Sequence, residues 1–224
     1  MTDPGAHPAL IPLAHETFAP RRRSDGAREV ADSRGTGIVL GALSSAHRAR
    51  IAEILRSANV FRREEIGVAL EVFDEGVLES GMRNAEAVDS QSEIRVPHST
   101  PEYLFLGAFS PEQILVGYAC WGPTPATDRT WDLYWIAVDS ALQGAGIGTI
   151  LLEEIERRLI GQQARMLIAE TSSRSDYATT RGFYARRGYV ESARVRDFYA
   201  PGDDRIIFVK RFLPLADGRG ADLR

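Results

Sequence analysis

Trp135-Ile136-Ala137-Val138-Asp139-Ser140-Ala141-Leu142-Gln143-Gly144-Ala145-Gly146-Ile147-Gly148 is the stretch whose reading decides the fold. Residues 135–138 have strand character, and Asp139 and Ser140 open a turn. A glycine-rich loop then leads into residues 146–160. There Ile147, Ile150, Leu151, Ile155 and Leu159 recur on one face of a helix. Glycines let the main chain approach a ligand and present several N–H groups together. At a helix N-terminus these groups and the helix dipole favour an anion, and phosphate is the natural occupant. A P-loop would end in Lys followed by Ser or Thr, whereas Gly148 is followed by Thr149 and Ile150. A dinucleotide turn needs G-x-G-x-x-G directly after its strand. Here the spacing is G-x-G-x-G, and residues 139–143 intervene. Glu170, ending the next strand, could imitate a ribose-binding acid, but too little chain follows for a usual dinucleotide enzyme. Taken alone, the loop is also compatible with a plain glycine turn before a core helix.

Upstream, residues 37–40 predict a short strand, and Ser44 or Ser45 caps a helix that buries Ile51, Ile54, Leu55 and Ala58. A second helix after Phe61 carries Ile66, Ala69, Leu70, Phe73 and Val77 on one face. Residues 80–101, broken by Gly81, Pro97 and Pro101, predict a loop. Three apolar runs at 103–109, 114–121 and 130–138, separated by short turns, predict an antiparallel meander. Downstream, 165–169 predicts a buried strand and 177–187 a helix capped by Gly188. Residues 189–193 and 205–209 predict the last strands. The order is β-α-α-β-β-β-α-β-α-β-β, a mixed α/β sheet. Residues 1–35, interrupted by Pro4, Pro8, Pro12 and Pro20, are expected to form a disordered tail, 36–213 one domain and 214–224 a C-terminal tail.

Gln143 to Gly148 matches the Q/R-x-x-G-x-G/A loop that binds acetyl-CoA in GNAT acetyltransferases. Arg181-Gly182-Phe183-Tyr184-Ala185-Arg186-Arg187-Gly188-Tyr189 resembles that family's F-Y-x-x-x-G-F/Y segment. The two motifs stand in the family's order with one strand between them, and the resemblance spans residues from about 36 to 212. Residues 132–138, 170–173 and 197–204 resemble a bacterial subgroup.

The resemblance implies the GNAT acyl-CoA N-acyltransferase fold, a mostly antiparallel sheet whose central strand pair is splayed, flanked by helices. It also implies acetyl-CoA as donor. Backbone groups of Ile136, Ala137 and Val138 would pair with the pantetheine arm. Amides of Gln143, Gly144, Ala145, Gly146, Ile147, Gly148 and Thr149 would hold the pyrophosphate. The expected activity is direct acetyl transfer to a primary amine, of a small molecule such as an amino acid or amino sugar. The alternatives are a protein or peptide acceptor, or a GNAT-fold acyl-CoA sensor without turnover. Homodimers are frequent in the family.

Direct attack requires a neutral amine, a polarised thioester and a proton for the leaving sulfur, and no enzyme nucleophile. Tyr184 is the candidate acid, its ordinary pKa of about 10 lying near that of a thiol. The plainer reading of Tyr184 is aromatic packing. Asp132 and Glu170, on the two strands bounding the expected splay, are the candidate bases, and either could instead be a structural carboxylate. Tyr134, Tyr177, Asp197 and Tyr199 are candidates for lining the acceptor pocket.

A net charge of −4 gives no electrostatic reason to expect nucleic acid, and the short run Arg21-Arg22-Arg23 is far from a basic face. No apolar run approaches the roughly 20 residues needed to cross a bilayer, and residues 1–35 lack the apolar core of a secretory signal. One cysteine, Cys120, excludes an internal disulfide and fits a reducing cytoplasm; it is expected to be a small buried hydrophobe. The four histidines show no metal-ligand spacing, so no metal is expected. The acids of the second helix, Glu64, Glu65, Glu71, Asp74, Glu75 and Glu79, are expected to form a solvated face, with attraction of a cationic amine as the alternative.

Overall fold

The computed structural model describes residues 37–86 and 103–212. The expected tails, and residues 87–101 of the expected loop, lie outside the described residues. The elements are β1 (Val39–Gly41), α1 (Arg48–Ser57), α2 (Arg63–Glu86), β2 (Leu104–Phe109), β3 (Leu115–Pro123), β4 (Thr130–Val138), α3 (Ile147–Gly161), β5 (Met166–Ser172), α4 (Ala178–Ala185), β6 (Val190–Ala200) and β7 (Asp203–Arg211). The predicted order holds throughout. Several boundaries differ. The second helix continues to Glu86, so the loop expected from residue 80 starts later. Strand β5 runs beyond Ala169, which puts Glu170 inside it. Strands β6 and β7 extend to a tight hairpin at Pro201-Gly202, where Gly202 takes φ of 80°. Ser44 opens a 3-10 turn, Ser45–His47, whose His47 Nδ1 accepts from the Ser44 amide at 2.9 Å; α1 follows it.

The seven strands form one sheet in the order β1-β2-β3-β4-β5-β7-β6. All neighbours are antiparallel except β4 and β5. One apolar core lies under α3 and α4, with Ile147, Leu151, Ile155 and Tyr184 against Ala119, Trp121, Leu133, Leu167, Ala169 and Ile206. The other lies under α1 and α2, with Ile51, Ile54, Leu55 and Phe73 against Leu115, Tyr118, Cys120 and Ala137. Cys120 is 1% exposed, and burial pushes its thiol pKa up, as expected of a small core residue. Helix α3 also buries two acids. Glu154 is satisfied by Arg157 and Arg158, which hold its pKa down against burial, and Glu156 accepts from Tyr189 and Lys210.

The parallel pair is short. Thr130, Trp131, Asp132 and Leu133 face Met166, Leu167, Ile168 and Ala169, and the ladder stops there. Strand β4 continues five residues to Val138 beside β3, and β5 continues through Ser172 beside β7. The cause is a bulge at Tyr134, where Cys120 faces Trp135 and Trp121 faces Leu133. An extra residue on one strand bends it and increases its twist. It also reverses which side chains face which layer: Trp131 and Leu133 point to the α3 core, but Ile136 and Val138 do so after the bulge, and Trp135 and Ala137 face α1 and α2.

The neighbouring strands β5 and β7 are tied to the segment that opens α2 by a polar lock. Asp203, 5% exposed, accepts from Arg62 at 2.7 Å and from Ser172 at 2.5 Å. Ser173 and Asp204 exchange backbone and side-chain bonds at 2.9 and 2.7 Å. Arg174 reaches the Val60 carbonyl at 2.9 Å. Asp203 is buried while Arg62 is 38% exposed, so removing the carboxylate costs two charge-assisted hydrogen bonds and leaves the Ser172 hydroxyl without its acceptor. Asp203→Ala is therefore expected to lower unfolding stability by about 2 kcal/mol or more, measured by urea denaturation. A loss within a few tenths of a kcal/mol would show that the lock carries no weight.

Candidate active site

The glycine loop begins where β4 ends. Asp139 caps the 3-10 turn Ser140–Leu142 by accepting from the Ala141 amide at 3.0 Å, and it forms an ion pair with Arg50 of α1. Both contacts pull its pKa below the usual aspartate range. Arg50 also binds the Leu115 carbonyl at 2.9 Å, so α1 clamps the loop to β3. Gly144 and Gly146 both take φ of 86°, a left-handed conformation that strains side chains. A Cβ at either position would meet no protein atom within 4 Å, so conformation and not crowding demands glycine. Gly146 caps α3.

Among the described residues, the amides of Gly144, Gly146, Ile147 and Gly148 have no backbone acceptor. The Thr149 amide donates to Gly146 at 2.9 Å, and those of Gln143 and Ala145 close turns at 3.4 and 3.3 Å. Successive free amides at a helix N-terminus make an anion-binding concavity. Arg187 braces this end by binding the Thr149 hydroxyl and the Phe183 carbonyl, with its guanidinium 3.8 Å from the Phe183 ring centre. Neither Arg50 nor Arg187 was singled out from sequence; the contacts that tie them to the loop, Arg50 to Asp139 and Arg187 to Thr149, are long-range and no local spacing marks them.

Ile136, Ala137 and Val138 pair with Ala119, Tyr118 and Gly117 along one edge. Their other edge faces the opening, since the β4–β5 ladder has already ended. That edge has the unpaired strand geometry onto which an extended amide chain can add.

Asp132 lies opposite Ile168, and Glu170 is two residues farther along β5, so both carboxylates share the α1–α2 face of the sheet. Their surroundings differ. Asp132 is partly buried and accepts from Thr124 Oγ1 at 2.7 Å. Burial raises its pKa and the Glu170 charge adds to this, while the Thr124 bond and Arg205 oppose it. Glu170 forms an ion pair with Arg205, whose guanidinium lies 4.8 Å from the Phe198 ring centre.

Tyr184 stands on the other face. Its ring is 4% exposed and packs on Phe183, Tyr189 and Phe208 with centroids 5.3, 5.3 and 5.8 Å apart. Its hydroxyl makes no hydrogen bond to a described residue, and it is not among the sealed side-chain atoms. Burial raises its pKa, and Tyr177 adds to that. Gly188, with φ of 81°, ends the turn after α4 that holds this ring in place.

The remaining candidates separate. Tyr177 is 8% exposed under Arg174, and Tyr199 is half-buried near Glu170 and Arg205. Tyr134 packs with Tyr103 and Trp135. Asp197, at φ of 50°, accepts from the Gly202 amide at 2.6 Å and shapes the β6–β7 hairpin. Of the acids of α2, Glu64, Glu71 and Glu75 are exposed; Glu65 accepts from the Arg62 amide, Asp74 pairs with Arg48 at the surface, and the Glu79 side chain lies outside the described residues. A cavity of about 310 Å³ lined by Leu152, Glu153, Glu156, Arg186, Arg187 and Lys210 contains none of the candidate residues. No group of metal-ligating side chains occurs among the described residues, and no described helix is long and apolar enough to cross a membrane.

The loop geometry makes a separable prediction. Asn and Asp both tolerate left-handed φ, at a cost of about 1–2 kcal/mol or less. Gly146→Asn and Gly146→Asp should thus fold alike, while only the second adds a negative charge at the free amides. Calorimetry should show acetyl-CoA binding weakened by Asp about tenfold or more beyond Asn. Equal affinities would place the pyrophosphate elsewhere.

Comparison with known proteins agrees with this geometry. The family described as the acetyltransferase (GNAT) family matches residues 72–189. A crystal structure from Desulfovibrio desulfuricans, described as an acetyltransferase of the GNAT family, is 33% identical over 78% of this chain and 98% of that one, with a TM-score of 0.65. The ribosomal-protein-S18-alanine N-acetyltransferase of Escherichia coli shares the fold at 18% identity, over 82% and 99% of the two chains, with a TM-score of 0.59. So does a Salmonella typhimurium protein described as an acetyltransferase and solved with acetyl-CoA, at 16% identity over 83% and 98%, with a TM-score of 0.55. No curated protein matches the sequence. The family match over half the chain, the split sheet and the glycine loop agree: the chain belongs to the GNAT family of acetyl-CoA-dependent acetyltransferases.

Proposed function

We propose that this enzyme transfers the acetyl group of acetyl-CoA directly to the primary amine of a small molecule, with Asp132 as the base and Tyr184 serving the leaving sulfur. Amino acids and amino sugars are the acceptor classes raised by the sequence, and a protein or peptide amine is the alternative. The observation that carries the reading is the opening between β4 and β5, with a partly buried carboxylate on one face and an unpartnered phenol on the other. In this reading the free amides of the glycine loop hold the pyrophosphate and the free edge of residues 136–138 holds the pantetheine arm.

The amine nitrogen forms the new C–N bond as the thioester C–S bond breaks. Asp132 takes the proton that the nitrogen must lose, directly or through water. Asp132 is preferred to Glu170 because burial raises its pKa, and a base works best with a pKa nearer the working pH. Glu170 is tied to Arg205 instead. The phenol of Tyr184 keeps its proton through the neutral range, since a phenol's ordinary pKa of about 10 lies above it and burial raises it further. A thiolate of ordinary pKa about 8.5 is a weaker base than that phenolate. Tyr184 therefore stabilises the developing sulfur charge by hydrogen bonding, and its proton is regained from water if it is lost.

Protonation of Asp132 abolishes the base, so the rate must fall as pH drops through its pKa. Because that pKa is raised, the acidic limb lies above the ordinary aspartate value of about 3.9. Asp132→Asn is expected to lower kcat and remove this limb, whereas Glu170→Gln leaves it in place. The reverse result assigns the base to Glu170; loss of the limb in neither variant removes both from that role.

Tyr184→Phe keeps the ring and deletes the hydroxyl. It is expected to lower kcat by about 10²-fold or more, with acetyl-CoA affinity little changed. The loss should shrink with a donor whose thiol is more acidic, since a better leaving group needs less help. Equal losses with both donors would make Tyr184 an orienting group, and no loss would make it packing alone.

A further inference from the structure

We propose that Glu65 and Tyr177 select the acceptor, and that the acceptor they select is an amine with a second positive charge and no carboxylate. The inference rests on the reading that the reacting nitrogen sits beside Asp132. It starts from how the first turn of α2 is seated. The Arg62 amide donates to one Glu65 oxygen at 2.5 Å, and the Arg62 side chain binds Asp203 at the start of β7. Arg174 reaches the Val60 carbonyl, and its guanidinium lies 5.2 Å from the Tyr177 ring centre. These contacts press residues 60–65 against the loop that follows β5 and against the β6–β7 hairpin.

Tyr177 fills the seam. It is 8% exposed, its hydroxyl has no hydrogen-bond partner among the described residues, and it is not one of the sealed atoms. It lies within electrostatic reach of Glu65, Arg174, Asp176, Tyr199 and Tyr184. The ring is buried but the hydroxyl reaches solvent, so it is free to bond to a ligand in place of water.

The charges around the seam are unequal. Arg62 is committed to Asp203, Arg174 to Asp176, and Arg205 to Glu170. Arg181 is held by the carbonyls of Ser172 and Arg174. Glu65, by contrast, has no cationic partner among the described residues, and the cation within reach of Asp132 is Arg205, which is itself paired with Glu170. Two carboxylates without a dedicated counter-cation suit a ligand with two positive groups, one reacting beside Asp132 and one held between Glu65 and Tyr177. None of these four arginines is left uncommitted to receive an acceptor carboxylate.

The test measures CoA release with three acceptors of equal chain length: putrescine, butylamine and γ-aminobutyrate. Their far ends carry a cation, nothing and an anion. The expected order of kcat/KM is putrescine, then butylamine, then γ-aminobutyrate, with the first step about tenfold. Glu65→Gln retains an acceptor for the Arg62 amide, because capping boxes accept Gln as well as Glu. It should raise the KM for putrescine about tenfold, leave kcat nearly unchanged and leave butylamine unaffected; Tyr177→Phe should repeat this pattern more weakly. Equal losses on both amines would reduce Glu65 to a helix cap and overturn the proposal. So would a preference for γ-aminobutyrate or butylamine, or turnover of none of the three by a protein whose melting temperature acetyl-CoA raises. A wild-type preference for putrescine that persists in Asp132→Asn at full rate would instead refute the assignment of the base and leave the acceptor class standing.

Discussion

The parting of β4 from β5 after Leu133 and Ala169 is the constraint on which the rest of the molecule depends. A parallel pair that continued to the end of both strands would bury its main-chain groups and close the sheet. The bulge at Tyr134 turns β4 toward β3 while β5 keeps its full antiparallel pairing with β7. One strand edge is thereby left unpaired in the middle of a sheet, where β-structure otherwise exposes edges only at its margins. The same opening separates the chemistry by face: the carboxylates of Asp132 and Glu170 lie on the α1–α2 side, and the phenol of Tyr184 on the α3–α4 side.

Much of the surrounding structure keeps that opening from collapsing or drifting. Arg50 ties α1 to both the Leu115 carbonyl and Asp139, so the loop that leaves β4 is anchored before the glycines begin. Arg187 ties α4 to the first turn of α3 through Thr149. Asp203, Ser172 and Arg62 tie β7, β5 and α2 at the far side. Each contact joins segments distant in sequence. Positioning of reacting groups accounts for a large share of enzymatic rate, and the direct transfer proposed above would lean on it heavily.

Environment then distinguishes groups of like chemistry. Asp132 and Glu170 are neighbours on one face, yet one is desolvated beside a threonine and the other is compensated by an arginine. Tyr184, Tyr177 and Tyr189 are all buried phenols. Tyr189 spends its hydroxyl on Glu156, whereas Tyr184 and Tyr177 have no partner among the described residues.

Element order, the glycine loop and the helix bearing Tyr184 were all legible in the sequence, because periodicity and turn residues are local signals. Gly144 and Gly146 could be assigned to a ligand-facing turn since left-handed backbone strongly prefers glycine. Helix and strand ends were less legible: α2 reaches Glu86, and β6 and β7 close their hairpin through Asp197 and Gly202, where side-chain bonds and sheet pairing outweigh local propensity. The near-equivalence of Asp132 and Glu170 could not be broken from sequence, because what separates them is burial and an arginine 35 residues from Glu170. Arg50, Arg187 and the Glu65–Tyr177 seam were hidden for the same reason. The sequence by itself determined which segments are strands, which are helices and where a glycine turn opens a helix N-terminus, since each follows from residues a few positions apart. Only the tertiary structure decided where β4 and β5 part and which charges remain uncompensated there, since both depend on side chains brought together from across the chain.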